Sequence, residues 1–145
     1  MKPKPKPASA SKTQLADLIF PTHANDKGTA FGGVILAMAD KAAGVCAMRH
    51  SGQTCVTVAM DRVEFHIPVR VGDLLIVEAH LERVGRTSMT IAVDVFSEEL
   101  RSGRRQRTNT CHVTMVAVDN HGRPSPVPPL EGARRRGVGA GRSKS

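Results

Sequence analysis

The chain has 145 residues, 40% of them hydrophobic, which is enough for one compact domain and too few for two. It contains no Trp or Tyr and only four Phe, so the core must be mostly aliphatic. The net charge of +8 would suggest a nucleic-acid-binding protein, but residues 13–130 balance twelve basic against twelve acidic side chains. The excess positive charge therefore lies in the two tails.

The tails are predicted to be disordered. Residues 1–12 alternate Lys with Pro, and residues 131–145 are rich in Arg and Gly, so neither offers much to bury. No aromatic residue interleaves their charges as base stacking would require, and nucleic acid is not an expected partner. Without an apolar signal segment or a long apolar run, the chain is expected to be cytoplasmic, with no membrane span and one domain over residues 13–130.

The first half of this domain is predicted to carry one helix. Residues 13–20 form either a short strand or one or two helical turns, and the loop that follows contains the turn formers Asn25, Asp26 and Gly28. Gly32 and Gly33 then open a segment whose apolar residues recur at steps of three and four. Because this segment is apolar nearly all round, the helix is expected to be buried on most sides.

The second half changes to a period of two, which predicts strands over residues 54–67, 74–84, 88–98 and 106–118. The alternation slips between Met60 and Val63, so a bulge is expected near Asp61. The links are short, which favours antiparallel pairing. The predicted fold class is α+β, with a long antiparallel sheet wrapped around one central hydrophobic helix.

One acid, Asp40, stands in the middle of the helix. A buried carboxylate would cost several kcal/mol unless it were paired, and Lys41 points about 100° away round the helix. Asp40 could pair with an arginine of the sheet, lie on a face that reaches solvent, or serve chemistry. Glycines at a helix start can expose N–H groups to an oxyanion while a nearby carboxylate activates water, although Gly32-Gly33 could equally serve close helix packing.

Cys46, Cys55 and Cys111 each lie in an apolar context without close pairing. This pattern is typical of small buried side chains in a reducing compartment, and a Cys nucleophile is disfavoured. No CxxC or HxxxH spacing occurs, so no metal site is expected.

Several blocks together carry a family resemblance. They are HANDKGTAFGGVILAMAD at residues 23–40, VTV at 56–58, FHIPVRVGD at 65–73, VGRTS at 84–88 and VAVDNHGR at 116–123. In order and approximate spacing, this pattern resembles the hotdog-fold acyl-CoA thioesterases, most closely the broad-specificity bacterial branch. The resemblance covers roughly residues 13–130 and implies hydrolysis of acyl-CoA to a carboxylic acid and free CoA. It implies no metal and no cofactor, because coenzyme A is part of the substrate.

The resemblance also implies roles for individual residues. Asp40 corresponds to the catalytic aspartate, a general base or, as the less favoured option, a nucleophile. Asn25 matches an Asn that such enzymes place across the subunit boundary from that Asp. Gly33, together with Gly32, would supply the amide for the thioester oxygen. The site would then lie between protomers of a dimer or of a trimer of dimers.

Arg86, Thr87 and Ser88 lie where the family commonly contacts CoA. Arg86 would bind its phosphates, or it is an ordinary turn arginine; both interpretations stay open. Asp26 and Lys27 bring charges to places where many relatives carry other polar residues, which affects expected loop contacts more than mechanism.

Two other functions are compatible with the same fold. Hotdog hydratases and dehydratases generally use a His near the helix start, where this chain has Phe31. A regulatory module that binds CoA or an acyl ligand without turnover would leave Asp40 a structural role.

Overall fold

A computed structural model describes residues 3–61 and 63–132. It contains five strands and one α-helix: β1 (Thr13–Leu18), α1 (Gly32–Ser51), β2 (Thr54–Asp61), β3 (Leu74–Val84), β4 (Ser88–Glu99) and β5 (Arg104–Val118). Two 3₁₀ turns, Ala8–Ser11 and Pro21–His23, flank β1.

The five strands form one antiparallel sheet in the order β1-β3-β4-β5-β2. The helix α1 packs against all five strands, as the predicted wrapped arrangement requires. Alternate residues of the three central strands face the helix and are buried; on β5 these are Cys111, Val113, Met115 and Ala117. The predicted bounds of β3 are confirmed, and those of β4 and β5 differ by one and two residues.

The helix α1 begins and ends where the sequence predicts. Gly52 follows its last turn in the left-handed conformation, with φ of +68°, which a glycine adopts without strain. The expectation of burial on most sides is wrong for the single chain. Ile35, Ala39 and Cys46 face the core, whereas Gly33 and Ala37 lie on an exposed stripe of the helix.

The strand β2 differs most from its prediction. It ends at Asp61 rather than at residue 67, and its bulge lies between Thr57 and Ala59 rather than near Asp61. One extra residue, Val58, leaves the ladder there, and this shifts Met60 onto the helix side of the strand. Val56 and Val58 are 44% and 56% exposed.

Residues 3–12 also differ from the expected disordered tail, because they pack against the domain. The Lys6 backbone pairs with Leu130, and its ammonium donates to the carbonyls of Arg49 (3.1 Å) and His50 (3.0 Å) at the end of α1. A cation there stabilises the helix C-terminus. Ser11 is fully buried. In the predicted C-terminal tail, residues 133–145 lie outside the described part of the chain.

Gly44, inside α1, and Gly52, which caps its C-terminus, give opposite predictions for stability. A Cβ on Gly44 would meet only the Met115 Cε, at 3.8 Å, so Gly44→Ala should raise the free energy of unfolding by about 0.5–1 kcal/mol through helix propensity. Gly52→Ala should lower it by about 1 kcal/mol, because φ is positive there. Urea denaturation followed by circular dichroism measures both, and changes of the same sign would contradict the described helix end.

Candidate functional site

Asp40 lies in the middle of α1 on a partly exposed face, and its Oδ1 accepts a hydrogen bond of 2.6 Å from the Thr57 hydroxyl. Within residues 3–61 and 63–132, it forms no ion pair with an arginine or lysine. Of the alternatives that the sequence left open, the structure shows the face that reaches solvent. The carboxylate is thus available to a ligand and held by a neutral donor.

Thr57 is the site residue that the sequence interpretation missed. Thr57 alternates with Val56 and Val58 along β2, and the structure places its side chain on the helix side of the strand. There its hydroxyl also lies 3.2 Å from the Met115 Sδ. A short polar residue between two valines was the signal that could have found it.

The start of α1 is uncapped by side chains. Phe31 occupies the N-cap position and makes no side-chain hydrogen bond to the first turn, so the N–H groups of Gly32 and Gly33 are among the unsatisfied donors of a helix start. A Cβ on Gly33 would meet no atom within 4 Å, whereas one on Gly32 would lie 3.0 Å from the Phe65 ring. Space for a ligand is therefore open at Gly33, whereas the Phe65 ring covers Gly32.

Within a single chain, the start of α1 and the Asp40 carboxylate are too far apart to act on the same atom of a ligand. Asp40 follows Gly33 by seven residues, which is roughly 10 Å along an α-helix. The free N–H groups point out of the N-terminus, away from Asp40. A carbonyl bound to them would lie too far from the Asp40 carboxylate of the same chain for that carboxylate to deliver water.

Asn25 is likewise not bonded to Asp40 within the chain. Its Oδ1 accepts from the N–H groups of Lys27 (2.9 Å) and Thr29 (3.2 Å), and its Nδ2 donates to the Thr29 hydroxyl (2.9 Å). These bonds form a closed turn that fixes the orientation of the Asn25 amide. The turn places Asn25 at the surface of the loop that leads into α1.

The predicted CoA-contacting residues lie in the turn from β3 to β4. The N–H of Gly85 donates to the Ser88 carbonyl (2.8 Å), and a Cβ on Gly85 would come within 2.8 Å of the Ser88 hydroxyl, so a larger residue there would require the Ser88 side chain to move. Arg86 is exposed at its tip and Thr87 is half-buried. Ser88 pairs with Val116, one residue after the Met115 that lies beside Thr57. The turn is thus about two strand spacings, roughly 10 Å, from Thr57 along the sheet.

Two cavities in the described residues could hold part of a ligand. The smaller, about 230 Å³, borders the helix start and is lined by Ala30, Gly32, Ile35, Phe65, Ile67, Pro68 and Val69. The larger, about 630 Å³, lies beside β1 and β3, with walls that include Lys12, Glu78, His80 and Asp94. The smaller cavity is apolar and touches the candidate site, whereas the larger carries two carboxylates and does not.

The cysteines are poor nucleophiles. Cys46 and Cys111 are buried and Cys55 is partly buried, and burial raises the pKa of each thiol, that of Cys111 to about 11. The raised pKa lowers the fraction of reactive thiolate at neutral pH. In the described part of the chain, no three His, Cys, Asp or Glu side chains could hold a metal ion, and no helix is long and apolar enough to cross a membrane.

Comparison with known proteins decides the family. The family model described as the thioesterase superfamily matches residues 27–104, just over half of the chain. The chain belongs to the thioesterase superfamily. A Zymomonas mobilis protein described as an uncharacterized acyl-CoA thioester hydrolase is 39% identical over 127 residues, which cover 88% of this chain and 85% of that protein.

Solved structures of this superfamily confirm the hotdog fold. An acyl-CoA hydrolase from Bacillus cereus has a TM-score of 0.85 and 42% identity, over 88% of this chain and 77% of that one. The hexameric thioesterase from Yersinia pestis has a TM-score of 0.75 and 33% identity, over 79% and 93%.

An acyl-CoA hydrolase from Staphylococcus aureus, solved with butyryl-CoA and CoA, has a TM-score of 0.82 and 32% identity, over 86% of this chain and 76% of that one. It was also solved with single alanine substitutions of an Asp, a Thr and an Asn.

Proposed function

We propose that this thioesterase hydrolyses acyl-CoA thioesters to a carboxylic acid and free CoA. The observation that carries the proposal is the Asp40 carboxylate, accessible in the middle of α1 and hydrogen-bonded at 2.6 Å by Thr57. The relatives described as acyl-CoA hydrolases support the substrate class.

In this proposal Asp40 is the general base. It takes a proton from water while the water oxygen bonds to the thioester carbonyl carbon. The C–S bond then breaks, and the CoA sulfur leaves as a thiolate that takes up the proton held by Asp40, which restores the carboxylate. Thr57 donates to Oδ1 and so directs the other carboxylate oxygen toward the water.

The Staphylococcus aureus variants support this choice of residues. Their substituted Asn and Asp are 15 residues apart, and the Asp and Thr are 17 apart. Asn25, Asp40 and Thr57 have the same intervals in this chain. Three residue types at two matching intervals favour equivalent positions in the two proteins.

The thioester oxygen, in this proposal, is bound by the N–H of Gly33, where open space and the helix dipole favour a developing negative charge. Because that N–H and the carboxylate of the same helix diverge, one site takes Gly33 and Asn25 from one protomer and Asp40 of the partner subunit. The exposed stripe through Gly33 and Ala37 is where the second protomer would pack. The hexameric relatives support such an assembly.

Charge and polarity suggest where the CoA phosphates and the acyl chain of the substrate would bind. Arg86, exposed in a tight turn near Thr57, would bind the CoA phosphates with Thr87 and Ser88. The acyl chain would enter the apolar cavity at Phe65. The carboxylates of Glu78 and Asp94 make the larger cavity unsuitable for a phosphorylated ligand.

The hydratase and regulatory alternatives have less support. Phe31 holds the place where a hydratase would need a His, and a ligand-binding module would not require the Thr57 contact to Asp40. Release of CoA separates them, since only a thioesterase liberates free thiol.

Replacement of the proposed base should abolish turnover. Asp40→Asn should lower kcat by about 10²–10⁴-fold with butyryl-CoA, the range of a general base, and Thr57→Val by about tenfold through loss of one charge-assisted hydrogen bond. Asp17→Asn, in exposed β1, is the matched control and should retain full kcat. Thiol release followed with a chromogenic reagent measures all three, and a wild type without turnover on any acyl-CoA would refute the activity.

A subunit-mixing experiment tests whether the site is shared. Asp40→Asn and Asn25→Ala proteins should each be nearly inactive. When the two are unfolded and refolded together, about half of the dimers should be mixed, and each mixed dimer carries one intact site of two. Activity should therefore return at about one quarter of the sites. The two proteins refolded separately and then combined are the control. A mixture that stays as inactive as its parents would place both residues in one chain's site.

Acyl-chain preference tests the assigned cavity. Phe65 lines the cavity of about 230 Å³, so removal of its ring should make room for longer acyl chains. Phe65→Ala should raise kcat/KM for dodecanoyl-CoA relative to butyryl-CoA by about tenfold, since it opens the wall. Leu100→Ala, at 50% exposure against 49% for Phe65, is the matched control; equal profiles for both variants would reassign the acyl chain.

A further inference from the structure

Gly32, the first residue of α1, lies under the ring of Phe65. A Cβ built on Gly32 would stand 3.0 Å from Cε2 and 3.1 Å from Cζ of that ring, and its three nearest atoms all belong to Phe65. A Cβ built on Gly33 would meet no atom within 4 Å. The two glycines at the start of the helix therefore have different surroundings, because a side chain covers the first and the second is open.

The backbone conformation does not explain why residue 32 is a glycine. Gly32 is helical and is not among the glycines with a positive φ, so any L-residue could adopt its conformation. A helix is also more stable with alanine than with glycine. Space is the remaining requirement, since the Phe65 ring lies where a methyl group on residue 32 would crowd it.

The segment that carries Phe65 is anchored only at its two ends. Val63 packs against the core on one side, and on the other side Val69 is buried and its carbonyl accepts from the N–H of Ala30 (2.7 Å). Among the described residues, the backbone of residues 63–68 forms no hydrogen bond. The position of the ring between these anchors therefore depends on what the ring packs against at the start of α1.

We infer that Gly32 is a specificity-determining residue for the acyl chain. Gly32 and Phe65 both line the apolar cavity of about 230 Å³ at the start of α1. Because a glycine lets the ring lie directly on the helix backbone, the ring stays in the wall of this cavity and limits the length of the acyl chain. A side chain at residue 32 would push the ring outward and open the wall. The inference rests on the proposed function, because it concerns the cavity assigned to the acyl chain.

The preference for acyl-chain length tests this role. Gly32→Ala should raise kcat/KM for dodecanoyl-CoA relative to butyryl-CoA by about threefold, less than Phe65→Ala does, because the ring is displaced and not removed. Gly44→Ala is the matched control, since its methyl would meet only the Met115 Cε at 3.8 Å, and it should leave this ratio unchanged. An unchanged or lower ratio for Gly32→Ala would overturn the inference.

A double variant separates displacement of the ring from a general disturbance of the helix start. In Gly32→Ala/Phe65→Ala there is no ring to displace, so the ratio should equal that of Phe65→Ala alone. If Gly32→Ala changed the ratio by the same factor in both backgrounds, the methyl would act without the ring and the inference would fail.

The melting temperature provides a readout that does not depend on turnover. Gly32→Ala should raise it in the Phe65→Ala background, where alanine favours the helix and meets no ring. With the ring present, crowding opposes this gain, so the rise should be smaller or reversed, and equal shifts in both backgrounds would contradict the inference. An inactive wild type would refute the proposed hydrolysis, whereas an active wild type whose Gly32→Ala variant keeps the same ratio would overturn the inference alone.

Discussion

The hydrogen bond from Thr57 to Asp40 is the interaction on which the candidate site depends. A carboxylate in a largely apolar helix must keep contact with water or find a donor. Asp40 has both, because it lies on a partly exposed face of α1 and accepts from Thr57 of β2. The neutral hydroxyl satisfies one carboxylate oxygen and leaves the charge in place, whereas an arginine at this position would neutralise it. A carboxylate held in this way stays oriented, which is what a general base requires.

The geometry of α1 then determines how many chains the site needs. Free N–H groups point out of the helix start, and the carboxylate lies two turns behind them, so the two ends of the proposed chemistry face different directions. Two helices that pass each other in opposite directions bring the start of one to the middle of the other. The exposed, small side chains of the stripe through Gly33 and Ala37 allow such a close approach.

Much of this fold could be predicted from local patterns. Apolar and polar residues alternate regularly along β3, β4 and β5, and glycines mark both ends of α1. The prediction for β2 was wrong because of one residue, Val58. A period-two pattern assumes an unbroken ladder, and a bulge reverses the face of every residue beyond it. The sequence letters alone do not show that Met60 is on the same side as Thr57.

The packed N-terminal segment was missed for a related reason. Lys and Pro are typical of unstructured chains when composition alone is considered, but Lys6 donates to two carbonyls that the end of α1 leaves free. These acceptors for Lys6 can be identified only once the three-dimensional position of the end of α1 is known. Asp40, Asn25 and Gly33 could be selected from sequence through the family resemblance, whereas the contact of Thr57 with Asp40 required the register of β2 against the helix.

The strand β2 is part of both the candidate site and the surface where a second protomer is expected. Thr57 faces the helix, whereas Val56 and Val58 are exposed on a strand that, among the described residues, pairs only with β5. An edge strand with exposed valines is a surface that a protein normally covers. If a second protomer covers this edge, it also approaches Thr57 and Asp40 from the open side of α1. The strand β2 would then provide both the hydroxyl that orients the base and the surface that closes the site around it.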